Sequence, residues 1–240
     1  MLFRQLLDKE SSTYTYLIAD IQTYEAILVD PVIQQVDRDL KLIQELGLTL
    51  VSCSETHIHA DHITGTGEIR ERTGCKGLVP ENVNIECASG SIKHGDVLEV
   101  GSIAIKAIET HGHTDGHLAY LVGGDRILTG DALLIRGCGR TDFQGGSAEA
   151  LYDCVTQRLF SLADSTQVYP AHDYRGQTVS TIGEEKRWNP RFVDLTSEPP
   201  QLRDRADFVQ LMNSLDLPSP KKMMEAIPAN KHCGKQIAMA

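Results

Sequence analysis

Apolar positions near the start of the chain follow first one spacing and then another. Residues 13–17 and 25–30 are rich in Tyr, Thr, Val and Ile and flank a polar turn at 20–23, which predicts an antiparallel pair of strands. Over 36–46 the spacing lengthens: Val36, Leu40, Ile43 and Leu46 recur every three or four positions and stop at Gly47, the pattern of an amphipathic helix with a glycine end. A strand over 48–54 runs directly into a polar cluster at 55–62. Beyond it the pattern predicts a helix over 65–72, strands over 96–100 and 103–108 around Gly101-Ser102, and strands over 118–122 and 126–129 joined through Gly123-Gly124. Helical spacing returns in Leu151, Val155, Leu159 and Leu162 (148–162), and a short strand over 167–169 ends in Pro170-Ala171-His172-Asp173-Tyr174. After Trp188 the chain turns polar and proline-bearing, with 196–207 the least regular stretch, before a helical 208–215 and a closing 227–230. There is no short-period repeat, low-complexity tract or clear linker. The reading is a single α/β domain over 1–240 with a C-terminal extension from about 188.

Composition narrows the function class. No apolar run approaches the roughly 18 residues of a spanning helix, and residues 1–5 lack the layout of a secretory signal, so a soluble, intracellular protein is expected. A net charge of -10 opposes binding to nucleic acid and to anionic membranes. Six cysteines are scattered without a C-x-x-C pair, and free thiols in a reducing compartment are expected.

Histidine carries the chemistry. Thr56-His57-Ile58-His59-Ala60-Asp61-His62 packs three imidazoles and a carboxylate into seven residues, more than solvation requires or a core tolerates. In a turn-rich loop His57 and His59 can converge on one ion, with Asp61 and His62 aimed at a neighbouring position. His113, Asp131 and His172 each follow a predicted strand, where the loops of a layered α/β protein gather into a site.

With its flanks, this set resembles the metallo-β-lactamase superfamily. The first motif is matched by His57, His59, Asp61 and His62, and the others by Gly112-His113-Thr114, Thr129-Gly130-Asp131 and Pro170-Ala171-His172. The stretch from Leu133 to Gln144, Tyr169-Pro170-Ala171-His172-Asp173-Tyr174 and Pro228-Ala229-Asn230 are similar to the persulfide dioxygenases, also called sulfur dioxygenases, and the likeness extends to the opening residues. It implies a four-layer αββα sandwich and one non-haem Fe(II) per chain held by His57, His113 and Asp131. His59, Asp61, His62 and His172 would lie nearby without closing a second metal site. Two His and one carboxylate leave about three positions open, enough for a substrate sulfur and O2 together. The reaction implied is oxidation of glutathione persulfide by O2 and water to sulfite and glutathione, with Arg140, Tyr174 and Arg191 contacting the glutathione moiety. The resemblance also implies a homodimer, and the expected location is cytoplasmic, or the mitochondrial matrix for a mature eukaryotic chain. No sulfurtransferase domain fits this length, so the persulfide source would be a separate sulfurtransferase or sulfide oxidoreductase.

Other residues carry smaller expectations. Asp173 could orient a site histidine. Gly137 and Gly139 would let backbone approach the substrate, and Cys138 and Cys233 are read as small buried apolar groups. His111 and His117 are read as bystanders to His113, and His94 and His232 as peripheral. Asp115 and His117 stand where the family commonly has Pro and Cys or another small residue. The alternative reading is a dinuclear zinc thioester hydrolase resembling hydroxyacylglutathione hydrolase, because ligands for two metals are present; a non-catalytic metal- or persulfide-binding protein is the third.

Overall fold

Side-chain alternation along β2 (Thr13–Ala19) and β3 (Glu25–Val29) sets the layers in the computed structural model, which describes residues 1–235. Tyr14, Tyr16, Ile18, Ile27 and Val29 point inward against Ile105, Ala107, Leu118, Tyr120 and Val122 of a second sheet, forming the central apolar layer. Leu17, Ala19, Ala26 and Leu28 point outward and are covered by Val36 and Ile43 of α1 (Val36–Glu45) and Ile69 of α2 (Thr66–Thr73).

The first sheet has the order β1 (Leu2–Asp8), β2, β3, β4 (Thr49–Ser54), β5 (Lys76–Pro80), β6 (Gly90–Ile92), and is parallel from β3 onward. The second contains β7 (Val97–Val100), β8 (Ile103–Glu109), β9 (Leu118–Val122), β10 (Arg126–Gly130), β11 (Gln167–Pro170) and β12 (Ser180–Thr181), each neighbouring the next. Its outer face is covered by α3 (Ala148–Cys154), α4 (Ile182–Trp188) and α5 (Arg205–Asn213), through residues including Leu151, Ile182 and Phe208 packed on Ala119, Ile127 and Val168. Helix, sheet, sheet and helix are thus stacked as the implied αββα sandwich. No helix among the described residues is long and apolar enough to cross a membrane.

Several details depart from the sequence reading. The helix expected over 148–162 is α3 followed by one π turn, Val155–Leu159. The irregular 196–207 stretch holds one strand of a two-stranded hairpin, β13 (Val193–Asp194) with β14 (Gln201–Leu202). The closing 227–230, read without an element type, is the end of a helix, α6 (Met223–Asn230). The expectation that every cysteine is a free thiol is overturned: Cys87 and Cys233 form a disulfide, while Cys53, Cys75, Cys138 and Cys154 are free. Its partners lie 146 positions apart and meet because α6 packs back on Ile63, which leaves the residue just past it beside the β5–β6 connection, a proximity no local spacing could report.

The start of α3 anchors the loop that carries His113. Ser147 caps the helix by accepting from the Ala150 N–H, and its own N–H donates to the Gly112 carbonyl. Gly112 has φ of +126°, and a Cβ there would meet the Leu151 backbone at 2.3 Å, so glycine is required. Ser147→Ala removes the cap and the hydroxyl's contact with Glu149 but keeps the backbone bond to Gly112, and should cost about 1 kcal/mol, read as a shift in the urea unfolding midpoint at unchanged slope.

Candidate metal centre

Four strand ends converge at one edge of the facing sheets. β4 exits into the loop carrying His57, His59, Asp61 and His62, and the β8–β9 connection carries His113. β10 and β11 run parallel with Gly130 opposite Pro170, which brings Asp131 and His172 side by side. All of these side chains are buried except Asp61, which is partly exposed.

Asp30, at the end of β3, organises the first loop. Its carboxylate accepts from the Thr56 N–H at 2.7 Å and from the Thr56 hydroxyl at 2.8 Å. With its proton committed to Asp30, Thr56 Oγ1 accepts from His57 Nδ1–H at 2.9 Å, leaving the His57 Nε2 lone pair free. His113 is fixed in the same sense: its Nδ1–H donates to the Arg140 carbonyl at 2.6 Å, so Nε2 is again the open donor, 3.5 Å from Asp131 Oδ2. Gly139 makes room for this contact, since a Cβ would stand 2.6 Å from the His113 ring. One ligand atom each from His57, His113 and Asp131 lies within 4.8 Å of the others.

Protonation fits the geometry. Burial pushes His57 well below the usual imidazole range, so it stays neutral. Burial alone would raise Asp131, but the neighbouring His172 and His113 outweigh it and hold the carboxyl at about 2. A neutral His57 imidazole with a fixed tautomer and an ionised Asp131 carboxylate are what a divalent ion needs.

The remaining ionisable groups are tied largely to one another. Asp61 Oδ2 accepts from His62 Nδ1 and from His172 Nε2, both at 2.9 Å, while His172 Nδ1 donates to Asp131 Oδ1 at 2.6 Å. Both His172 nitrogens therefore face carboxylates. Burial opposes its charge, yet Asp131 and Asp61 raise it well above the imidazole range. His59 turns Nε2 away from the others, toward Asp30 Oδ1 at 3.1 Å. His62 Nε2 is buried with no hydrogen-bond partner.

Two residues, His117 and Asp173, depart from expectation, and a third, Asn230, adds a role. His117 is no bystander: it is buried, and its Nε2 accepts the Asp131 backbone N–H at 3.0 Å while its Nδ1–H faces Thr110 Oγ1 at 2.8 Å, so it holds the segment bearing a ligand. Asp173 orients no histidine; it accepts from the Tyr14 hydroxyl and the Arg175 N–H. Asn230 gives Pro228-Ala229-Asn230 its physical meaning. Its Oδ1 accepts from the Thr64 N–H at 2.8 Å, and its Nδ2 donates to the His59 and His62 carbonyls, both at 2.9 Å.

A groove of about 500 Å³ opens beside the cluster, with His172, Tyr174, Arg175, Cys138 and Arg191 among its walls. The exposed Tyr174 ring lies parallel to His172 at 5.7 Å between centroids. No hydrogen bond or ion pair engages the Arg191 guanidinium among the described residues. Arg140 is differently placed: its guanidinium forks onto Asp142 and donates to the Leu217 and Pro218 carbonyls.

Residues 90–172 match the family described as Metallo-beta-lactamase superfamily. The chain is 43% identical over 242 residues to the mitochondrial persulfide dioxygenase ETHE1 of Homo sapiens, covering 100% of this chain and 91% of that one. It is likewise 43% identical to the Bos taurus enzyme, covering 98% of this chain and 90% of the relative. The crystal structure of ETHE1 from Myxococcus xanthus, 51% identical, superposes with a TM-score of 0.91 and covers 98% of this chain and 100% of its own. The chain belongs to the persulfide dioxygenase family of the metallo-β-lactamase superfamily.

Proposed function

We propose that the chain is an Fe(II)-dependent dioxygenase that converts glutathione persulfide, O2 and water to sulfite and glutathione. The observation that carries the one-iron reading is the donor set: Nε2 of His57, Nε2 of His113 and Asp131 Oδ2 converge with their other polar atoms already bonded to protein. When bound there, Fe(II) would supply a redox-active centre with about three open positions, suited to bringing a sulfur and dioxygen together. Both His172 nitrogens are bonded to carboxylates, which argues against a second ion on that residue.

The chain's own residues do the rest. Asp30 and Thr56 fix the His57 ring, and the Arg140 carbonyl fixes His113. In the groove, Arg191 offers a guanidinium fork and Tyr174 a neutral donor to the carboxylates of the tripeptide. Arg140 acts through its loop: pairing with Asp142 holds the backbone whose carbonyl positions His113. Arg191→Ala should raise KM for glutathione persulfide about tenfold while kcat changes less than twofold, because only binding remote from the sulfur is removed. Steady-state O2 uptake against persulfide concentration checks it.

Metal analysis of anaerobically purified chain, paired with O2 uptake and sulfite assay on adding glutathione persulfide, tests the assignment. About one iron per chain with stoichiometric O2 uptake and sulfite is the expected result. Two zincs per chain with no O2 uptake would overturn it and place the second ion against the open His62 Nε2.

A further inference from the structure

The metal centre makes no use of the Cys87–Cys233 disulfide, yet the bond sits where it can act on that centre. Cys87 is exposed on the β5–β6 connection, and Cys233 is buried just past α6. Arg70 of α2 spans the bond: its Nη1 donates to the Cys87 carbonyl at 2.5 Å and reaches Cys233 Sγ at 4.0 Å. A small cavity of about 20 Å³ is lined by Cys233, Asn230, Ile85, Glu55, His57 and His59 among others, so the disulfide and a metal ligand face one space.

We propose that Cys87–Cys233 is a thiol-exchange site for low-molecular-weight thiols such as glutathione, and that its state sets how firmly α6 holds the metal-bearing loop. The two sulfurs are unequal. An incoming thiolate can reach Cys87, and the sulfur displaced is Cys233, next to a guanidinium that favours a thiolate leaving group. In the first step the thiolate sulfur bonds to Cys87 Sγ, the Cys87–Cys233 bond breaks, and its electron pair departs on Cys233. In the second step another thiolate displaces the Cys87 sulfur. Two thiols are oxidised to their disulfide and the protein bond is reduced to two thiols.

The mechanical consequence follows from what α6 touches. Asn230 bonds the His59 and His62 carbonyls and the Thr64 N–H, and Ala226 and Ala229 pack on Ile63 of the same loop. Cys233 lies three positions beyond Asn230, and its carbonyl sits so close to Gly67 that a Cβ there would meet it at 2.0 Å. Breaking the disulfide removes the covalent tie that keeps this segment against α2 and the β5–β6 connection.

The test uses the iron-loaded full chain in graded glutathione and glutathione-disulfide buffers, and neither of its readouts needs turnover. Acid quenching and peptide mass mapping give the thiol state, and hydrogen exchange follows the amides of residues 57–64. Three results are expected: a dithiol fraction that rises with reduced glutathione, a trapped glutathione adduct on Cys87, and loop exchange about tenfold faster in the reduced form. Arg70→Gln should slow the exchange reaction about fivefold, and Arg70→Lys should restore it. The Cys87→Ser variant should show fast loop exchange even in oxidising buffer; reduced wild-type chain makes the same measurement if that variant does not fold. An adduct on Cys233, a thiol state independent of the buffer, or loop exchange unchanged on reduction would each overturn the proposal.

Discussion

Asp131→Asn is expected to remove iron and turnover together while leaving the fold intact. The Asp131 carboxylate reaches His113 Nε2 at 3.5 Å and accepts from His172 Nδ1 at 2.6 Å. Its backbone is held separately, by His117 at the N–H and by Gly139 at the carbonyl, so the segment stays in place when the side chain changes. Held at about 2, the carboxyl is fully ionised at neutral pH. An amide of the same shape removes that charge and points a neutral oxygen or an NH2 at the ion. Even hydrogen-bond partners of metal ligands typically cost about 10–100-fold in affinity when lost. Losing an anionic ligand should therefore weaken iron binding at least about 100-fold and lower O2 uptake by about a thousandfold. Iron per chain at matched free Fe(II), with circular dichroism as the fold control, measures it. Full iron stoichiometry in the variant would move the carboxylate role to Asp61 and make the assigned triad wrong.

How much of this could be read from the sequence follows physical lines. The clustering of His57, His113, Asp131 and His172 was legible because ligand-type side chains at strand exits stand out against any packing or solvation pattern. α1 was legible because one of its faces is buried and the other is not. β1 was missed because it is an edge strand whose positions are mostly intermediate in burial, so no two-residue alternation marks it. α4 was missed because its sequence is almost all polar. What holds it is the Thr181 cap and a buried Glu185 that pairs with Arg136 and accepts from Asn189 Nδ2. His117 looked like a spare imidazole because its work is on a backbone N–H, which leaves no trace in residue spacing. The disulfide and Asn230 depend on a C-terminal helix returning to residues more than 140 positions earlier, which local pattern cannot encode.

Asn230→Ala should be the most damaging single change in the C-terminal segment. The amide makes three buried hydrogen bonds, to the Thr64 N–H and to the carbonyls of His59 and His62, and its truncation leaves all three backbone groups without that partner. A buried backbone group left unpaired costs about 1–3 kcal/mol. With some water entry, the sum should be about 3 kcal/mol of global stability. The same groups fix the loop carrying His57, so Fe(II) should be lost to a chelator about tenfold faster, within the range for supporting contacts. Asn230→Asp sharpens the argument: it keeps an acceptor for Thr64 but sets a carboxylate against two carbonyls, and should be no better than alanine. Because the disulfide tethers the same segment, the alanine variant should lose iron faster still when Cys87–Cys233 is reduced, and the two perturbations should not be additive. If Asn230→Ala unfolds at the wild-type urea midpoint and keeps its iron, the loop is held by packing of Ala226 and Ala229 on Ile63 instead.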